Sequence, residues 1–178
     1  MRYIGILIMA GALIGGGFLA AKNWQNQLEL LLLLRQMVYH LKGQILSANA
    51  TLPEALTEVG TRALQEREGI FQEPGQFFCR VAKRLETQDS VSFAEVWTEE
   101  MKQFPKDFPL KKGEMEQFRV LGDHLGYADR AMQERTLLFY LEQADDAIAR
   151  RKGELQEKTR LCRCLGMAAG LFVMVILA

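Results

Sequence analysis

The fold is decided by the proline-free stretch of residues 128–178, ADRAMQERTLLFYLEQADDAIARRKGELQEKTRLCRCLGMAAGLFVMVILA. In its first part Leu137, Leu141, Ala144 and Ile148 recur at the spacing of one apolar helix face. Its middle is densely charged, and residues 165–178 are entirely apolar or glycine. We therefore predict one helix, roughly 75 Å long at ~1.5 Å per residue, that starts in water and ends in lipid.

The composition favours an all-α protein. Only 4 of the 178 residues are proline, and β-branched runs are few. The 22 basic and 22 acidic residues balance, which argues against nucleic acid as a partner. The three cysteines, Cys79, Cys162 and Cys164, are odd in number and are predicted to pack as small apolar side chains. No cofactor, metal site or small-molecule substrate is predicted.

Apolar segments stand at both ends of the chain. Residues 3–21 carry no charge and come close to the ~20 residues of a membrane-spanning helix. A cleaved signal peptide is the alternative, although this run is longer than a usual signal core and contains three consecutive glycines that suit helix packing. The predicted domains are an N-terminal transmembrane helix at 1–22, a cytosolic helical bundle at 23–160 and a C-terminal transmembrane helix at 161–178.

Basic residues beside the two segments set the predicted orientation. Lysine and arginine are retained on the cytoplasmic side of a membrane, and here they lie mostly on the side of the middle domain. The middle domain is therefore predicted to be cytoplasmic and attached to the cell membrane by two spans. A basic collar is predicted to contact anionic lipid headgroups; it consists of Lys22, Arg150, Arg151, Lys152, Lys158, Arg160 and Arg163.

The middle domain is predicted to be an antiparallel bundle of about six helices joined by short loops. Two of these helices begin with capping boxes, Thr51 with Glu54 and Ser92 with Glu95. Gly122 lies inside the fifth helix, where glycine costs ~1 kcal/mol relative to alanine. We therefore predict that Gly122 marks a close contact between helices.

The sequence contains no recognisable catalytic motif. A Gly-rich phosphate loop, a His-Glu-x-x-His motif and a Gly-x-Ser-x-Gly motif are all missing. The adjacent acidic pairs, Glu99 with Glu100 and Asp145 with Asp146, point in different directions on a helix and are predicted to be solvated surface. The chain is therefore predicted not to be an enzyme.

One charged cluster is open to two interpretations. Lys111, Lys112, Asp129 and Arg130 are predicted to lie at the ends of neighbouring helices, on one tip of the bundle. Helix capping with a surface ion pair is one explanation. A polar docking edge for a partner protein is the other.

Four short motifs, in this order and spacing, carry a resemblance that covers nearly the whole chain. They are LPEAL at 52–56, LKKGE at 110–114, LGxxLGxxDRxxQ at 121–133 and LG…GL at 165–171. Together they resemble the stage III sporulation protein AB family of endospore-forming Firmicutes. One departure is Gln44 before Ile45, where the family leads us to expect an acidic residue.

The resemblance implies a subunit of the channel-like complex built between mother cell and forespore, located in the mother-cell membrane around the forespore. It also implies a helical domain similar to those of type II secretion platform proteins. The implied partners are a cytosolic ATPase and other membrane subunits of the same apparatus. A membrane-anchored enzyme or sensor with an unrecognised site in the bundle is the alternative, and it requires a polar inward pocket with titratable groups.

Overall fold

The computed structural model describes the backbone of residues 2–87, 91–126 and 129–177. Side chains are described within 22–161, except those of residues 88–90, 127–128 and 159. The described residues form six α-helices and no strand, which confirms an all-α protein. The helices are α1 (Arg2–Leu46), α2 (Leu52–Glu66), α3 (Glu73–Thr87), α4 (Phe93–Met101), α5 (Lys112–Leu125) and α6 (Arg130–Leu177), with a 3-10 turn at Gly69–Gln72.

The chain divides into two compact units. Met1–Glu29 and Ala149–Ala178 form the terminal unit, and Leu30–Ile148 form the central unit. Within the residues that the structure describes, none of the helices is both long and apolar enough to cross a membrane. The two predicted spans, 1–22 and 161–178, lie outside the described side chains except for Lys22 and Leu161.

In the central unit α1 and α6 run antiparallel. Arg130, at the start of α6, donates a hydrogen bond to Asn49, just after α1. Further along α6, Asp145 accepts a hydrogen bond of 2.6 Å from Arg35, which lies earlier in α1. The apolar face of α6 predicted from its periodicity is confirmed, because all four of its members are buried: Leu137, Leu141, Ala144 and Ile148.

An aromatic cluster occupies the middle of the core. Trp97 of α4 is fully buried, and its ring centroid lies 4.7 Å from that of Phe77 and 5.0 Å from that of Phe118. Its indole Nε1–H donates to the carbonyl of Phe118 at 3.1 Å, so the polar end of the ring is satisfied. Trp97 therefore joins α4 to both α3 and α5.

Glycines allow two close approaches in the central unit. A Cβ on Gly122 would lie only 2.1 Å from Cδ1 of Trp97, which confirms the predicted close contact. On α2, a Cβ on Gly60 would lie 2.9 Å from the carbonyl oxygen of Gly75 on α3. A Cβ on Gly75 would likewise lie 2.9 Å from the carbonyl oxygen of Gly60. The backbones of α2 and α3 can approach each other at this crossing because both residues lack a side chain.

Glutamate side chains satisfy the backbone at the starts of three helices, two of which are capping boxes. The backbone N–H of Thr51 donates to the carboxylate of Glu54 at 2.9 Å, and Ser92 pairs with Glu95 in the same way. Both were predicted. The start of α5 has half of this arrangement, which we did not predict: the backbone N–H of Lys111 donates to the carboxylate of Glu114 at 2.9 Å, but a lysine side chain cannot accept a hydrogen bond in return.

The prediction that Glu99 and Glu100 are both solvated surface is wrong for Glu100. Only 3% of Glu100 is exposed. Its carboxylate accepts hydrogen bonds from Arg80 at 2.9 Å and Arg84 at 3.1 Å. Adjacent positions on α4 do point in different directions, but the Glu100 side of the helix is covered by α3.

The prediction that the cysteines pack as small apolar side chains can be compared with the structure at Cys79. Cys79 is a free, half-buried thiol, and burial raises its pKa above the usual value. A raised pKa leaves less reactive thiolate at neutral pH, as expected of a packing residue. Cys162 and Cys164 lie outside the described side chains.

Candidate docking surfaces

The four predicted docking residues lie at opposite ends of α5. Lys111 and Lys112 begin this helix, whereas Asp129 and Arg130 follow its last residue, Leu125. A helix of 14 residues is roughly 20 Å long. The expectation that the two pairs share one tip of the bundle is therefore not met, because α5 separates them. Their predicted role in docking stays a prediction.

At the first end, Lys111 and Lys112 are exposed beside an open cavity of about 350 Å³. The cavity is lined partly by aromatic and aliphatic side chains, among them Phe104, Phe108 and Met115, with Lys112 at its edge. An apolar centre that contains aromatic and methionine side chains and has a polar, solvent-accessible rim is typical of surfaces that bind other proteins.

A charged cluster on α5 borders the same cavity. The guanidinium of Arg119 contacts Glu116 and Asp123, each at 2.7 Å. Hydrogen bonding from Arg119 holds the pKa of Glu116 below its usual range. Both carboxylates are thus bound to Arg119, and the exposed lysines supply the positive charge at this end of α5.

At the second end, Asp129 and Arg130 tie the start of α6 to the neighbouring turn. The carboxylate of Asp129 accepts from the backbone N–H of Ala131 at 3.2 Å, as a helix cap does. Arg130 is exposed and donates to Asn49. Capping therefore explains Asp129, while Arg130 presents its charge at the surface.

The terminal unit holds the described part of the basic collar. Lys22, Arg150, Lys152 and Arg160 are exposed, and the ammonium of Lys158 lies 4.2 Å from the ring centroid of Trp24, a cation–π contact. Arg151 differs from the prediction, since only 7% of it is exposed and its guanidinium donates to Gln27. Arg163 lies outside the described side chains.

An exposed apolar strip on α6 is a feature that we did not predict. Met132, Leu138 and Phe139 are 43%, 45% and 58% exposed. Met132 and Phe139 also line a groove of about 350 Å³ between α5 and α6, together with Val120 and His124. The solvent-facing side of a helix normally carries polar residues. The sequence did contain a sign of this surface, because Met132, Leu138 and Phe139 are apolar but do not belong to the predicted buried face of α6.

The interior of the central unit contains few polar side chains. Its buried residues are apolar or aromatic except for Glu100 and Glu114. The phenol of Tyr140 is also buried, and burial raises its pKa, so it stays protonated at neutral pH. Glu100 is bound by arginines of α3, and Glu114 caps α5. Within the described part of the chain, histidine, cysteine and acidic side chains do not gather into any group of three that could hold a metal ion.

Comparisons with known proteins agree with the sequence motifs. The family model described as stage III sporulation protein AB matches residues 2–178. Stage III sporulation protein AB of Bacillus subtilis (strain 168) is 22% identical over 177 residues, and the match covers 99% of both chains. No solved structure matches the chain significantly.

Proposed function

The chain belongs to the stage III sporulation protein AB family, and from this premise we propose that it is a non-enzymatic membrane platform subunit of a secretion-like channel complex in endospore formation. In this function it docks a cytosolic ATPase and other membrane subunits. The proposed location is the mother-cell membrane around the forespore, with the bundle in the cytoplasm. Membership of the family supports a role in sporulation. The platform role, the partners and the location are what we propose beyond it.

One observation carries the non-enzymatic part of the proposal. The interior of the central unit is filled by a continuous cluster of apolar and aromatic side chains, and its two buried acids are bound in structural contacts. Catalysis by acids and bases needs titratable groups that face a substrate. The chemically distinctive groups of the central unit are at its surface, which favours binding to other proteins.

The cationic end of α5 is the proposed docking site for the ATPase. The variant Lys111→Glu/Lys112→Glu is expected to reduce copurification of the ATPase from sporulating cells by about tenfold, since reversing two interface charges weakens binding by ~1.4 kcal/mol or more. The helix start is retained in this variant, because Lys111 caps through its backbone N–H. Sporulation frequency is scored in parallel.

The control for this test is Arg67→Glu/Lys83→Glu, which makes the same charge change at exposed basic residues just after α2 and on α3. Arg130→Glu tests the other end of α5 separately. Unchanged copurification and sporulation in Lys111→Glu/Lys112→Glu would remove these lysines from the docking site. Turnover of a substrate by the purified protein would contradict the non-enzymatic proposal.

Membrane orientation is tested by labelling single cysteines in a chain whose own cysteines are replaced by serine. In intact protoplasts of non-sporulating cells that express the chain, so that it inserts in the surface membrane, a membrane-impermeant maleimide is expected to label a cysteine added after Ala178 and to spare Lys102→Cys until the cells are lysed. This pattern places the central unit in the cytoplasm, as the distribution of lysine and arginine predicts. Labelling of Lys102→Cys in intact protoplasts would reverse the proposed orientation.

A further inference from the structure

The open cavity beside the start of α5, named the α5 cavity below, has apolar walls that are fixed within the chain. The ring centroid of Phe108 lies 4.6 Å from that of Phe104, which packs in turn on Phe77 of the core at 5.2 Å. The loop around Phe108 is held by its backbone N–H, which donates to Pro105 at 3.0 Å, and by that of Leu110, which donates to Phe108 at 2.9 Å. A preformed cavity needs little ordering when a partner fills it.

The charges around the α5 cavity are mainly positive. Lys106, in the loop before α5, and Lys112, the first residue of α5, both line the cavity and are exposed. Within the described residues, neither of these lysines forms an ion pair. The acid that lines the cavity, Glu116, is bound by Arg119, which lines it too, so these two charges offset each other. The exposed Asp107 does not line the cavity. Acidic groups of a partner would therefore complement the rim.

From these observations we propose that the α5 cavity takes an apolar side chain of the docking partner, and that acidic residues of the same segment face Lys106 and Lys112. This inference rests on the proposed docking of the ATPase at this end of α5, and it adds the kind of segment that is recognised. The volume of about 350 Å³ is near the lower end of the ~300–1,000 Å³ of binding pockets. The cavity therefore accommodates one or two side chains and not a whole helix.

The apolar walls and the lysines together distinguish this segment from other ligands. Nucleic acid or free phosphate would pair with the lysines but would leave the half-buried Phe108, Leu110 and Met115 in contact with water. An uncharged apolar segment would cover these walls but would gain nothing from the lysines. A segment with a bulky apolar side chain and nearby carboxylates uses both features, as an anchor residue and a polar rim do in other protein interfaces.

Photo-crosslinking identifies the segment at the α5 cavity. Benzoylphenylalanine replaces Asp107 of the full chain in sporulating cells, which leaves the walls and both lysines intact, and the crosslinked peptide is sequenced by mass spectrometry. We expect an ATPase peptide in which an aromatic or aliphatic residue has Asp or Glu within about four positions. The same group at Glu58, exposed on α2, is the control and is expected to give no crosslink to the ATPase. An ATPase peptide without an acidic residue, or a crosslink only to lipid or to a second copy of the chain, would overturn the proposal.

Charge exchange tests whether the lysines meet acidic residues. Lys106→Glu is expected to lower copurification of the ATPase about tenfold, whereas Lys83→Glu, at an exposed lysine of α3, is expected to leave it unchanged. Phe108→Ala removes part of the apolar wall and is expected to cause a similar loss. Each acid of the crosslinked ATPase peptide is then replaced by lysine in turn. One of these changes is expected to restore binding to Lys106→Glu but not to Phe108→Ala, and failure of all of them would overturn the proposal.

The outcomes separate this inference from the ATPase docking on which it rests. If Lys111→Glu/Lys112→Glu lowers copurification but Lys106→Glu and Phe108→Ala do not, the docking stands and the α5 cavity is not its anchor site. If none of the three variants lowers copurification, the proposed docking itself is wrong. Circular dichroism checks the helix content of each variant. Should Phe108→Ala fail to fold, Lys106→Glu and its rescue still decide the question, because Lys106 is exposed in a loop.

Discussion

Replacing Gly122 by alanine is expected to destabilise the protein by about 2–3 kcal/mol, and replacing it by valine by more. The added Cβ would lie 2.1 Å from Cδ1 and 2.2 Å from Cγ of Trp97. Trp97 cannot move aside easily, because it is fully buried against Phe77 and Phe118 and its Nε1–H is hydrogen-bonded. The loss outweighs the ~1 kcal/mol that alanine normally contributes over glycine within a helix.

Urea unfolding followed by circular dichroism measures this effect. The matched control is Gly113→Ala in the same helix, where an added Cβ meets nothing within 4 Å. That change is expected to leave stability unchanged or to raise it by up to ~1 kcal/mol. If Trp97 is the cause, Trp97→Leu will cost less in the Gly122→Ala background than in the unaltered protein. Equal stability of the two glycine variants would contradict the close contact.

Replacing Glu100 by alanine is expected to cost about 3 kcal/mol. This carboxylate is almost fully buried and accepts from Arg80, Arg84 and Gln103, the last at 2.7 Å. Its removal leaves two partly buried guanidinium groups without their shared anion. Glu100→Gln keeps the shape of the side chain but not the charge, so an intermediate loss is expected.

The neighbouring residue provides the control for Glu100. Glu99 also binds Arg84, at 2.7 Å, but its side chain is 55% exposed. Glu99→Ala is therefore expected to cost less than 1 kcal/mol, as exposed ion pairs usually do. Unfolding of both variants under the same conditions compares a buried and an exposed acid on one helix. Equal losses would show that burial does not distinguish them.

Local patterns in the sequence predicted the helices well, because their causes are local. The 3.6-residue periodicity of α6 and the capping boxes at Thr51 and Ser92 depend on residues a few positions apart, and the structure confirms them. Gly122 was also recognisable, since a glycine within a strongly periodic helix is unfavourable unless something approaches it. The approaching residue, Trp97, could not be identified from spacing alone.

The candidate surfaces were predicted less well, because they depend on contacts between distant parts of the chain. Lys111 and Asp129 are close to helix ends in the sequence, but the length of α5 keeps them apart. Glu100 looked like a surface acid until α3 supplied two arginines from 16 and 20 residues away. The apolar strip on α6 became visible only when Leu138 and Phe139 were found outside the core.

The sequence by itself determined that this protein is all-helical, where most of its helices begin and end, and to which family it belongs. Hydrogen bonds and apolar repeats within single helices are sufficient for the conclusions about the helices. The family was indicated by the order and spacing of four short motifs. Only the tertiary structure decided which helix faces meet, as at Gly60 and Gly75, and which charged groups are buried, as at Glu100. These outcomes depend on how side chains from different helices fill one shared interior, and residue spacing along a single helix does not contain that information.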